Sequence, residues 1–350
     1  MTTPFQGATR RNLLLGAGAL GLAAPSIAHA QGQYRAEYKV SVVGNRPLPI
    51  SDGAFTWAEL VTERSGGRIN MKVYPGSQLV GGDQTRELVA MRQGVIDMAV
   101  FSTINISPQI REMNIFSLPF LMPNHRAYDA IINGEVGRDL FGTLTSRDVT
   151  PVAWGENGFR EISNSKREIR KPEDLRGLKI RFAAGAIFSE IYQGLGANPV
   201  QMSFADLQPA LSTGAVDGQE NPVNLFLGFR MDTLAQRHLT IWNYCADAAI
   251  FVASKAVMDS FAPADRDLVI ACAREAAQRQ IAAARKGLGI DGDRSSIEEC
   301  IRRGVAVAEL TPAEKQAFAR ATRPVFDKWA QTVGSALVQK AEAAIARAIA

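Results

Sequence analysis

Apolar and polar residues alternate where the chain first shows a regular pattern. Tyr38, Val40 and Val42 fall on one side and Lys39 and Ser41 on the other, a period of two that predicts a strand. Over Asp52 to Arg64 the pattern changes to a helical one. Phe55, Leu60 and Val61 are its apolar positions, and Gly66-Gly67 supplies the stop. Ile69 to Tyr74 predicts a second strand. Gly81-Gly82-Asp83 opens a second helix that Gly94 ends, and Val95 to Phe101 predicts a third strand. Strands alternating with helices predict a largely parallel, doubly wound α/β sheet.

The same phrase returns later. Gln93-Gly94-Val95-Ile96-Asp97 closes a helix and starts a strand, and Thr213-Gly214-Ala215-Val216-Asp217 does so about 120 residues on. Ser203-Phe204-Ala205-Asp206 has the form of a capping box with Asp in place of Glu or Gln. Leu207, Ala210 and Leu211 give the following helix an apolar side. Asp265 to Lys286 predicts a long amphipathic helix, and Thr311-Pro312-Ala313-Glu314 a capped one. Two similar α/β lobes with a cleft between them are the simplest architecture. Ligands of open parallel sheets sit beyond the carboxyl ends of the strands. Here those ends are Phe101-Ser102-Thr103, Arg181-Phe182, and Gly218 to Asn221. The lobes are expected to hinge near Trp154 to Asn157 and again near Asp247.

The first thirty residues read as an export signal. Arg10 and Arg11 precede the weakly apolar run Leu13 to Ala24, and Ala28-His29-Ala30 is a small-residue cleavage pattern before Gln31. Thr9-Arg10-Arg11-Asn12-Leu13-Leu14 has the twin-arginine form, so the periplasm is the expected location. Later segments lack the roughly 18 consecutive apolar residues of a membrane span. The whole chain is +4, and without the two signal arginines it is +2. That balance does not argue for nucleic acid or an anionic membrane as partner. The three cysteines, Cys245, Cys272 and Cys300, read as buried thiols.

The chemistry of enzymes is sparse. Gly16-Ala17-Gly18-Ala19-Leu20-Gly21 fits a dinucleotide fingerprint, but it lies in the export signal and follows no strand. No P-loop, C-x-x-C, H-E-x-x-H or G-x-S-x-G occurs, and His125 and His238 are the only histidines after the signal. No metal, cofactor or catalytic group is therefore assigned. The basic run from Lys166 to Arg181 is interleaved with Glu168, Glu173 and Asp174, as a solvated face is. Arg181 differs, because it ends the alternation Leu178-Lys179-Ile180-Arg181-Phe182 at a cleft-facing strand end. A guanidinium there is suited to hold a carboxylate by two parallel hydrogen bonds.

Four stretches then become familiar. Asn157-Gly158-Phe159-Arg160-Glu161-Ile162-Ser163-Asn164 is followed by Lys171-Pro172-Glu173-Asp174-Leu175-Arg176-Gly177-Leu178-Lys179-Ile180-Arg181. Met202-Ser203-Phe204-Ala205-Asp206-Leu207 comes next, then Ala215-Val216-Asp217-Gly218-Gln219-Glu220-Asn221-Pro222. Their order and spacing resemble the DctP-type solute-binding proteins of TRAP transporters, the tripartite ATP-independent periplasmic type. Pro75-Gly76-Ser77-Gln78-Leu79 matches as well. The resemblance implies a two-lobed periplasmic-binding-protein fold with a ligand cleft, a long interlobe helix, and delivery of the ligand to a TRAP membrane permease. It implies that Arg181 pairs with a ligand carboxylate, that Arg160 assists, that Asn221 closes over the same group, and that Phe204 packs on the ligand. It divides the chain into the export signal 1–30, one lobe of 34–157 plus about 248–288, and another of 158–247 plus about 289–350.

Phe182-Ala183-Ala184-Gly185 follows the arginine where family members often carry proline, so ligand identity stays open. Trp242 and Tyr244 are candidates for the pocket wall, with packing between lobes the competing reading. Asp247 is a candidate acceptor of ligand hydroxyls. The expected function is capture of a small organic acid, a monocarboxylate such as a sugar acid or a hydroxy or oxo acid, without chemical change. The competing functions are an exported enzyme and the ligand-sensing subunit of a signalling system.

Overall fold

The structure, a computed structural model, describes residues 34–350. The predicted export signal lies outside them. Eleven described strands form two sheets. The first has β1 (Tyr38–Val42), β2 (Met71–Tyr74), β3 (Met98–Ser102), β4 (Val149–Phe159) and a later strand, β10 (Ala246–Ser254), in the order β2-β1-β3-β10-β4. The second has β5 (Glu161–Asn164), β6 (Lys179–Phe182), β7 (Asn198–Gln201), β8 (Gly218–Asn221), β9 (His238–Ile241) and β11 (Ala306–Glu309), in the order β11-β9-β5-β8-β6-β7.

The sheets are less parallel than the alternation of strands and helices predicts. β1 pairs in parallel with β2 and β3, and β6 with β7 and β8. β10 is antiparallel to β3 and β4, and β5 is antiparallel to β8 and β9. The antiparallel strands are those through which the chain passes from one sheet to the other. It crosses first at Arg160, between β4 and β5, and returns through Trp242 to Cys245, between β9 and β10. β4 and β10 remain paired up to Phe159 and Ala246. The crossings therefore lie just past Trp154–Asn157 and just before Asp247, the segments from which the hinge was expected.

The repeated phrase does one job twice. The Asp97 carboxylate accepts the N–H of Lys39 at 2.9 Å, and the Asp217 carboxylate accepts that of Lys179 at 2.9 Å. In each case an aspartate at the turn into one strand ties the start of its parallel neighbour, fixing register where the sheet begins. Gly94 and Gly214 end the preceding helices in the left-handed region, at φ 77° and 71°, as a glycine stop requires.

Two long helices brace the sheets. Pro263–Arg285 packs with Pro49–Arg64 over the first sheet, and the buried Trp57 Nε1 donates to the carbonyl of Val269 at 3.0 Å. Its last turn reaches the opposite side of the cleft, where Asn224 Nδ2 donates to the carbonyl of Ala284 at 3.3 Å. Pro312–Val333 touches elements on both sides: the turn Arg111–Ser117, and the helix Ala186–Gly194 beside the second sheet. Its capping box forms as predicted, with Thr311 and Glu314 exchanging side-chain-to-backbone bonds. The final helix, Ser335–Ile349, lies on helices His125–Ile132 and Glu135–Thr145, and Lys340 bonds Glu135 and Asp139. It thus sits on helices that connect β3 to β4 of the first sheet, although its place in the sequence grouped it with the second. The three cysteines are buried and unpaired with one another. No described helix is long and apolar enough to cross a membrane.

Candidate functional site

A cavity of about 20 Å³ lies where the two sheets face each other, lined by twelve residues. Ser102 and Asn105 come from the end of β3 and the turn after it. Asn157 and Arg160 come from the first crossing, Arg181 from β6, Asn221 from β8 and Asp247 from β10. Of these, Ser102, Arg181 and Asn221 stand at the strand ends marked out by the sequence. The apolar share of the wall is Val43, Ala183, Phe204 and Leu225. The space holds little more than one water. A bound organic acid therefore needs the walls to part. A hollow of about 320 Å³ adjoins it and shares Gln84 and Ala183 with it.

Two guanidiniums reach this cavity. Arg160 is held on nearly every side. Its Nε donates to the Glu220 carboxylate, and its Nη2 to Glu220 Oε1 at 2.7 Å, to the Glu220 carbonyl at 2.6 Å and to Asn221 Oδ1 at 3.0 Å. Its Nη1 donates to Asp247 Oδ2 at 2.8 Å. Burial works against the charge of Arg160, yet Glu220 and Asp247 outweigh it and hold the group well above its ordinary range.

Arg181 is as deeply buried, at 1% exposed. Its Nε and Nη2 both donate to one carbonyl, that of Met202, at 3.1 and 2.8 Å. Among the described residues no carboxylate lies within ion-pair distance, and Nη1 has no hydrogen-bond partner. Burial pulls the guanidinium down to about 9, with Glu220 acting in the other direction. It still carries its charge at neutral pH. The Phe204 ring centroid lies 6.0 Å from the guanidinium carbon, a position that offers weak cation–π support.

Six of the eight predicted site residues meet here: Ser102, Arg160, Arg181, Phe204, Asn221 and Asp247. Asp247 is not a free acceptor. It takes bonds from Ser102 at 2.6 Å, Asn157 at 2.7 Å and Arg160 at 2.8 Å, so three of its roughly four acceptor positions are used. Trp242 and Tyr244 are not on the cavity wall. Trp242 Nε1 donates to the Arg160 carbonyl at 3.1 Å, and Tyr244 Oη donates to Glu220 Oε2 at 3.0 Å. Both are fully buried behind the arginine, their rings 4.4 Å apart. They pack there because the chain turns away from the cleft as it returns through Trp242 to Cys245. Gln84, Asn105 and Asn157 line the cavity without having been singled out as contacts. Nothing periodic marks Gln84 or Asn105, which reach the site only through the meeting of the sheets. Asn157 stands in a familiar stretch, beside Arg160.

Two α/β sheets, each with a parallel core, joined by two crossing strands around a polar cavity, define a two-lobed solute receptor. The chain belongs to the bacterial extracellular solute-binding proteins, family 7, whose family model matches residues 41–332. It is similar in structure to a TRAP periplasmic solute-binding protein of Ralstonia eutropha H16 with bound (S)-2-acetolactate. The two are 54% identical, cover 90% of this chain and 100% of that one, and superpose with a TM-score of 0.88. The sugar-acid-binding protein of Advenella mimigardefordensis, in complex with galactonate, is 27% identical, with 89% and 98% covered and a TM-score of 0.82. The 2,3-diketo-L-gulonate-binding periplasmic protein of Escherichia coli is 29% identical, over 75% of this chain and 77% of its own.

Proposed function

We propose that this protein captures a short monocarboxylate with a hydroxyl or oxo group beside the carboxylate, and hands it unaltered to the membrane subunits of a TRAP transporter. One observation carries the reading. Arg181 is a buried guanidinium facing a cavity with a single carbonyl as partner, so a carboxylate entering there completes its hydrogen bonds and neutralises its charge. In this reading Arg181 pairs with the carboxylate, Asn221 closes over it, and Phe204 covers its apolar part. Ser102, Asn105 and Asn157 meet the ligand's other oxygens. Arg160 and Asp247 hold that polar wall in place. The apolar Val43, Ala183 and Leu225 on the wall favour a short branched acid over a polyhydroxylated sugar acid. The bound acetolactate of the Ralstonia eutropha protein, a hydroxy and oxo acid, points the same way.

The lobes proposed are 34–157 with about 248–288, and 158–247 with about 289–333, the last helix returning to the first. They part at Arg160 and at Trp242 to Cys245 to admit the ligand. Export of the folded chain to the periplasm by the twin-arginine route completes the proposal. A thermal-shift panel tests it, with (S)-2-acetolactate, pyruvate, lactate, galactonate and succinate. At 100 times its dissociation constant a ligand stabilises by about 2.7 kcal/mol. Acetolactate or another short monocarboxylate is expected to shift the transition most. A shift by succinate alone, or by none of the acids, sinks the reading.

A further inference from the structure

Gln84 is 1% exposed and stands between the buried cavity and the outer hollow, lining both. It belongs to the segment between β2 and β3. Its Oε1 accepts the backbone N–H of Phe204, on the other side of the cleft, at 3.1 Å. Because the partner is an N–H, the amide orientation is fixed: oxygen toward Phe204, Nε2 away from it. Phe204 is the first residue of the helix Phe204–Thr213, and the first N–H groups of a helix have no acceptor within it. Ser203, the residue placed to cap that helix, makes no capping bond; its hydroxyl donates to Asp206 Oδ2 at 2.6 Å. The helix end is therefore capped from across the cleft. Gln84 Nε2 has no hydrogen-bond partner among the described residues, on a residue that borders the same cavity as Arg181 and Asn221.

We infer that Gln84 is a closure latch that reads the ligand: Oε1 caps the Phe204 helix only when the lobes meet, while Nε2 donates to an oxygen of the bound acid. The inference rests on the binding reading above. Both bonds exist only in the closed complex, so Gln84 governs how slowly the ligand leaves. Encounter with the open protein does not need it, and affinity differences among variants of one interface lie mostly in dissociation. Phe204 also packs near Arg181, so the capped helix end holds the aromatic wall against the carboxylate site.

Stopped-flow tryptophan fluorescence with (S)-2-acetolactate, or with whichever panel acid shifts the parent most, separates the two rates. Gln84→Leu removes both bonds at similar size. It is expected to release the acid about 5- to 100-fold faster, the effect of stranding a buried hydrogen-bonding group, with association changed less than about 3-fold. Gln84→Glu keeps an acceptor for the Phe204 N–H but presents a like charge to the ligand, and is expected to lose affinity as well. Both variants should unfold without ligand at the parent's denaturant midpoint, since the latch spans the lobes and supports neither core. Parent-like dissociation from Gln84→Leu overturns the latch, as does an affinity loss that lies entirely in association. Parent-like affinity in Gln84→Glu overturns the donor role. A parent that binds no acid of the panel sinks the binding reading instead, so the two failures are distinct.

Discussion

Arg160 and Arg181 reach the same small cavity and are almost equally buried, yet the protein treats them oppositely. Arg160 meets two carboxylates, an amide oxygen and a carbonyl. Arg181 meets one carbonyl. Taking a guanidinium out of water costs several kcal/mol unless partners repay it. Around Arg160 the chain itself supplies them, from β8 and β10, so its charge is part of the architecture that ties the two crossings together. Around Arg181 the debt is left open on the side of the cavity. In the proposed reading, that open side is where the ligand's carboxylate goes.

Arg160→Ala should show the largest effect, and it should be on stability. The substitution leaves Glu220 and Asp247 buried without their cation, and breaking one side of a buried pair costs about 3 to 5 kcal/mol. Denaturant unfolding without ligand should report a loss of that order. An unliganded midpoint equal to the parent's would mean that Arg160 is as poorly partnered in solution as Arg181, and the contrast would collapse.

Arg181→Ala should do the reverse. Unliganded stability should hold or rise, because an uncompensated buried cation is removed. The ligand carboxylate, however, is left desolvated and unpaired when the lobes close, at about 2 to 5 kcal/mol, or roughly 30- to 4,000-fold in affinity. Arg181→Lys should also bind poorly, since a point charge on a flexible stem does not reproduce the planar fork. Titration calorimetry with the acid that shifts the parent most decides it. Retained affinity in Arg181→Ala with affinity abolished in Arg160→Ala would place the anchor on the wrong arginine.

This contrast was only half legible in the sequence. Arg181 could be read because alternation along Leu178 to Phe182 puts it at a strand end, and the familiar motif agreed. The repeated helix stop and aspartate of Gly94–Asp97 and Gly214–Asp217 could be read because register is fixed locally. That Arg160 is saturated could not be read. Its partners Glu220 and Asp247 lie 60 and 87 residues away, and a buried glutamate beside Asn221 looks in sequence like any other. Trp242 and Tyr244 were ambiguous for a related reason: aromatics in a returning strand look the same in front of a cleft and behind it. The antiparallel pairing of β10 escaped because apolar periodicity carries no strand direction.

A third, smaller effect concerns the region behind Arg160. The Glu161 carboxylate accepts the N–H groups of Trp242 and Asn243 at 2.7 and 3.1 Å, pinning one crossing to the other. Burial pushes its carboxyl up from 4.5 to about 7, against those two bonds and the nearby Lys315 and His125. A carboxyl raised on folding holds a proton that the unfolded chain has already lost between about pH 4.5 and 7. Its contribution to stability therefore falls as pH rises through that window, by about 3 kcal/mol in all. Glu161→Gln keeps an acceptor for both N–H groups and removes the titration. The difference between variant and parent in denaturant midpoint should therefore favour the variant more at pH 8 than at pH 5. Glu87, which burial also raises to about 7, contributes the same slope to both proteins and cancels. A difference independent of pH would mean that Glu161 is ionised in the folded protein throughout.

The smallest expected effect separates wall from support. Trp242→Phe removes the indole N–H bond to the Arg160 carbonyl while keeping an aromatic ring beside Tyr244, Phe120 and Phe318. One lost neutral hydrogen bond with a buried acceptor costs about 1 kcal/mol, and unliganded unfolding should show it. Affinity should change less than about 3-fold, because the indole touches the ligand site only through the backbone of Arg160. The competing expectation, an indole stacked on the ligand, predicts the opposite: little loss of unliganded stability and a large loss of affinity, since aromatic anchors dominate the contacts they make. Unfolding and calorimetry on the same preparation therefore assign Trp242 to one side or the other. A loss of affinity larger than the loss of stability would return it to the pocket wall, and would show that the cavity extends behind Arg160 when the lobes hold a ligand.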